Sequence, residues 1–171
     1  MMPSASEGIG AAGGIINYIS KVPTKYGDEV TLSARYTTQF KDDSAGWKLG
    51  GTYAHKEDRW DFLAALSRVE RGMTYDGHGR RIGLNTSGSV ADSTADNVFL
   101  KAGFNFGTDD EQRVQVSLNK FKIEGNGNYQ LIDGDRATGT TNTSEKPGLF
   151  GTLSEINDFQ QVAASYRHNN L

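Results

Sequence analysis

Tyr75, His78, Arg80 and Arg81 stand within seven residues and are the chain's most concentrated set of anion-binding side chains. Two guanidiniums, an imidazole and a phenol could contact an anionic ligand, although an exposed polar loop accounts for the same residues. Gly8-Ile9-Gly10-Ala11-Ala12-Gly13 spells the dinucleotide fingerprint. That chemistry needs a strand before it and a helix after it; only Met1–Glu7 precede it, and the β-branched run that follows is broken by Pro23. Asp133-Gly134-Asp135 begins like a calcium loop, but Ala137 and Thr138 stand where a further ligand and glycine belong. Cysteine is absent, and His55, His78 and His168 are scattered, so no metal site and no cofactor are expected. No nucleophile–base or carboxylate pair has a useful spacing, which argues against an enzyme.

The elements that would position these groups are strands. Of 171 residues, 21 are glycine, 3 are proline and 10% are aromatic, a β-rich composition. The formal charge of −3 comes with no basic stripe, which excludes nucleic acid as partner. No run approaches the ~20 apolar residues of a membrane-spanning helix, and no signal peptide follows Met1. Mean hydropathy is −0.57, but a barrel strand hides its membrane signal because alternate residues are polar.

From Val30 the sequence alternates. Val30, Leu32, Ala34, Tyr36 and Phe40 face one way; Trp47, Leu49, Gly51 and Tyr53 repeat the pattern, as do Trp60, Phe62, Ala64 and Leu66. Val98 to Phe106, Val114 to Leu118, and Val162 to Tyr166 add three more strands. Beyond Lys120 the phase slips, because Phe121 and Ile123 fall on the other parity, and a bulge is expected there. Arg35, Lys48, Lys101, Arg113 and Arg167 share the polar face. The expected connections are 41–45, 56–59, 72–95, 107–111 and 124–157. The second and fourth are tight charged turns, whereas the third and fifth are long and leave from the opposite end. That asymmetry belongs to outer-membrane barrels, and only the short first connection departs from it. Trp47, Tyr53, Trp60, Phe104, Phe106 and Tyr166 would then form aromatic girdles.

Gly10-Ala11-Ala12-Gly13-Gly14-Ile15-Ile16-Asn17-Tyr18-Ile19-Ser20-Lys21 resembles the segment that closes the plug domain of TonB-dependent outer-membrane receptors. Gly10, Gly13, Gly14, Ile16, Asn17, Ser20 and Lys21 occupy the motif positions, while Glu7-Gly8-Ile9 departs from the usual tyrosine-glycine start. The resemblance implies that residues 1–25 end a plug and residues 26–171 begin a transmembrane β-barrel, an all-β antiparallel meander of about six strands. It also implies a bacterial outer-membrane location, lipid contact and import of a nutrient such as a ferric siderophore or haem. Energy would come from the TonB–ExbB–ExbD complex through sequence preceding this chain, and further strands would follow it. A soluble or secreted β-sandwich binding module is the alternative.

Overall fold

The computed structural model describes residues 22–82, 91–145 and 156–168. Its strands are β1 (Gly27–Thr37), β2 (Gly46–Lys56), β3 (Trp60–Arg71), β4 (Ser93–Phe106), β5 (Gln112–Gly125), β6 (Gln130–Ile132), β7 (Thr143–Glu145) and β8 (Ile156–His168). Six form one antiparallel meander in the order β1-β2-β3-β4-β5-β8, and β6 pairs with β7 as a separate hairpin. The fold is therefore all-β, as the alternation predicts. The sheet is not closed, and β1 and β8 are its edges.

Two short turns hold one end. In the first, the Glu57 amide donates to the Trp60 carbonyl at 2.9 Å. In the second, Gly107 adopts φ 93°, and Asp109 and Asp110 follow in the left-handed region, which Asp tolerates better than most residues. The longer connections leave from the other end.

The register divides the sheet into two faces. Leu32, Gly51, Leu66 and Val98 lie in one row across four strands. Ala64, Leu100, Leu118 and Val162 form another. This apolar face is open: Leu32 is 81% exposed and Val162 66%. The polar face is the more buried, with Asp61 at 5% and Lys101 at 3% exposure. A water-soluble sheet would bury the first set and solvate the second. Among the described residues the only other sheet is β6–β7, with three-residue strands, too small to cover a six-stranded face as a sandwich requires.

The expected bulge is absent. Pairing of β5 runs unbroken from Gln112 to Gly125 against β4, and from Gln112 to Glu124 against β8. Phe121 and Ile123 therefore lie on the polar face, where Phe121 is opposite Phe159. At the same level Lys120, Lys122 and Asp158 occupy the apolar face's continuation. Hydrophobic residues change sides while the backbone stays regular. β3 and β4 do the same: Arg68 pairs with Asp96 on one side, and Val69 with Ala95 on the other. Phe40 also differs from the sequence reading, because β1 ends at Thr37 and Phe40 turns to φ 59° with 94% exposure.

Candidate functional site

The long-loop end is built around two carboxylates. Asp43, in the β1–β2 connection, accepts hydrogen bonds from the Tyr75 and Tyr129 hydroxyls and from Arg81 Nε at 2.7 Å. The Arg81 guanidinium also lies over the Tyr129 and Tyr75 rings, 5.2 and 5.6 Å from their centroids, a cation–π arrangement. Burial pushes the Asp43 carboxyl up, but its Tyr129, Tyr75 and Arg81 donors outweigh that and hold it at about 2. Burial and the Asp43 charge raise both tyrosines, and Asp43 raises Arg81. The second carboxylate, Asp92, receives the Asn128 amide and Asn128 Nδ2, each at 2.9 Å. Asp43 and Asp92 thus tie residues from three connections into one unit.

The local backbone allows this convergence. Ser44 Oγ accepts from the Gln39 and Lys41 amides and donates to the Lys41 carbonyl at 2.8 Å, which folds the first connection tightly and aims Asp43 across the sheet end. The Gln39 carboxamide brackets Tyr75, accepting from its amide at 2.7 Å and donating to its carbonyl at 3.3 Å. Gly72 must be glycine, because an added Cβ would lie 2.5 Å from the carbonyl oxygens of Asp43 and Ala45.

The four residues singled out in the sequence therefore separate. Tyr75 and Arg81 are engaged by Asp43. His78 and Arg80 sit on the exposed tip, where Gly79 turns at φ 76°. Arg80 is held by Asp76 at 2.8 Å, and the Arg80 amide, with Arg80's side chain and the His78 amide, lowers the Asp76 pKa. Gly10, Gly13, Gly14, Ile16, Asn17 and Lys21 lie outside the described residues.

A second polar cluster occupies the polar face. Arg113 on β5 reaches over β4 to Asp61 on β3, with Nη2 2.8 Å from Oδ2, and it also donates to Asn105 at 2.9 Å. Gly103 gives the guanidinium its path, since a Cβ there would sit 2.0 Å from Arg113 Nη2. Lys101 is buried nearby, 3% exposed. Arg113 is recognisable from its parity alone; Asp61 and Gly103 are not, because their roles exist only once three strands are in register.

The ends of the apolar face are polar. At the tight-turn end the Tyr53 hydroxyl donates to Asp28 at 2.6 Å, Trp60 Nε1 to Glu57 at 2.8 Å, and the Tyr166 hydroxyl to Gln112 at 3.0 Å. At the loop end Arg68 faces Asp96 at 3.6 Å and Lys122 faces Glu124 at 2.8 Å. Among the described residues no His, Asp and Glu cluster could hold a metal, and no helix is long and apolar enough to cross a membrane. No family model matches the chain, and no solved structure matches its fold.

Proposed function

We propose that the chain is part of a TonB-dependent outer-membrane receptor importing a scarce nutrient such as a ferric siderophore, with the six-stranded sheet as one arc of its barrel wall. The plug-like segment before Pro23 supports the family, and the apolar band supports the membrane. A band set by a lipid slab has fixed height and drifts along the register when strands tilt. The row through Ser33 continues through Gly50, Ser67, Asn97, Phe121 and Phe159. The band is centred on that row in β1 and β2, moves four residues toward the tight turns in β3, and moves five in β4, β5 and β8.

Five residues at ~3.3 Å make ~17 Å of drift across five spacings of ~4.8 Å, a tilt of ~35°. Outer-membrane strands tilt by ~35–45°. Along β5 the band is bracketed by Gln112 and Lys120, ~26 Å of strand and ~22 Å of height at that tilt, close to the ~25 Å of such barrels. The parity change beyond Lys120 then falls where lipid gives way to water. A soluble β-sandwich gives no reason for this inversion in three neighbouring strands. In this reading the Asp43 unit lies on the extracellular side, and the exposed tip carrying His78 and Arg80 meets anionic cargo. Transport draws on TonB–ExbB–ExbD.

The absence of cysteine permits a clean single-cysteine scan along β5 in protein reconstituted into vesicles. Probes at Val114, Val116 and Leu118 should be quenched by brominated lipid, and those at Gln115, Ser117 and Asn119 by aqueous quenchers. Aqueous quenching of both faces alike defeats the membrane reading.

A further inference from the structure

At the tight-turn end, where the apolar band stops, the start of β1 and the β2–β3 turn enclose a cleft of about 490 Å³ lined by Tyr26, His55, Lys56, Glu57, Arg59 and Trp60, with Asp58 beside them. Trp60 is 41% exposed, and His55 stacks on it at 4.6 Å between ring centroids. Lys56 Nζ lies 4.9 Å above the Tyr26 ring. An indole and a phenol beside a band of exposed aliphatic side chains suit the level where lipid glycerol meets water.

The charges narrow the ligand. The cleft offers two cations, Lys56 and Arg59, and two carboxylates, Asp58 and Glu57, of which Glu57 already accepts from Trp60 Nε1 at 2.8 Å and lies 3.4 Å from His55 Nε2. Asp28 is taken by Tyr53 and His55, and Arg59 faces Asp110 at 3.7 Å with both side chains well exposed. A site for an anionic headgroup would carry excess positive charge; this one is balanced. Its complement is a zwitterion, in which a phosphodiester meets Lys56 and Arg59 and an ammonium a few ångströms away meets Glu57 and Asp58. We propose that this cleft seats the headgroup of a phosphatidylethanolamine-type lipid, its acyl chains lying along the band above Trp60. The proposal rests on the membrane reading and names the lipid partner of this edge.

The test uses the complete receptor that carries this chain, folded into vesicles of equimolar phosphatidylethanolamine and phosphatidylglycerol, floated on a density gradient, extracted in mild detergent and weighed with its retained lipid by native mass spectrometry. Phosphatidylethanolamine should be retained about tenfold over phosphatidylglycerol, the factor given by one charge-assisted contact. Glu57→Gln with Asp58→Asn should abolish the preference, because the ammonium alone distinguishes the two lipids; Lys56→Gln with Arg59→Gln should cut retention of both; Arg136→Gln, in an exposed loop, should change neither. Equal retention by the unaltered protein, a preference for phosphatidylglycerol, a preference surviving Glu57→Gln with Asp58→Asn, or retention unchanged by Lys56→Gln with Arg59→Gln overturns the site while leaving the membrane reading standing. A complete receptor carrying this chain that fails to float with vesicles overturns both.

Discussion

Two neighbouring alanines on β8 put the two-faced sheet to a controlled test. Ala164 belongs to the apolar face opposite Val116, and Ala163 belongs to the polar face opposite Ser117. They share a strand, a residue type and high exposure, so arginine at either position changes backbone propensity equally. Ala164 is four residues from Gln160 and four from His168, the polar ends of its band. Four residues are ~13 Å of strand, ~11 Å of depth at a tilt of ~35°, which on the proposed membrane reading puts Ala164 at the midplane. Arginine on a lipid-facing midplane site costs ~2–4 kcal/mol; on a wet surface such a change stays within ~0.5 kcal/mol. Ala164→Arg should therefore lower the folded-to-unfolded ratio by ~100-fold relative to Ala163→Arg. Urea titration in phospholipid vesicles, followed by the fluorescence of Trp47 and Trp60, reads this difference. Equal effects at the two positions would mean that the apolar face does not meet hydrocarbon, and the argument from the band would collapse.

Other perturbations address the clusters. Arg113→Met leaves the Asp61 carboxylate buried without its partner and should destabilise by ~3–5 kcal/mol in the same titration; Asp61→Leu added to it should restore most of the loss, and a double variant no better than the single one would contradict the pairing. The Asp43 carboxyl, lowered from 3.8 to about 2, contributes stability that is fully present above pH 4 and fades as pH falls toward 2, on the order of 2 kcal/mol. Hydrogen exchange at the Tyr75 amide should therefore accelerate only in that acid window, and Asp43→Asn should show the faster exchange already at neutral pH. Phe40, strained at φ 59° and exposed, should be replaceable by glycine with a gain of ~1 kcal/mol in urea midpoint terms. A loss instead would mean that its ring is held by a partner.

Period-two alternation was enough to find all six long strands, because each reads apolar on one face over three to five positions. It also separated the tight turns at 56–59 and 107–111 from the long connections, since charge and glycine mark them locally. The parity change at Phe121 is equally visible, but a bulge is not its cause. From one strand, a bulge and a regular strand that moves its apolar residues to the other face look alike; only unbroken pairing with both neighbours excludes the bulge. The loop end was legible in residue type but not in partnership. Tyr75 and Arg81 were singled out for their chemistry, yet Asp43 lies 38 residues from Arg81 and 86 from Tyr129, separations that no local pattern encodes.

That partnership changes what the loop end can do. An arginine and a tyrosine free to move would lose conformational freedom on meeting cargo, at ~0.5–1.5 kcal/mol for each long side chain. Here Arg81 is fixed by Asp43 and two rings, and its charge is already neutralised, so it acts as scaffold. Arg80, on the exposed tip, is also paired, but through an exposed ion pair with Asp76, which contributes only ~0–1 kcal/mol and yields readily to a stronger anion. His78 beside it keeps its ring exposed. The division follows burial: the same charges hold loops together where water is excluded around Asp43, and remain exchangeable at the tip. If the proposed receptor function holds, replacing Arg80 should weaken capture of an anionic cargo without loosening the loops, whereas replacing Arg81 should loosen the loops first.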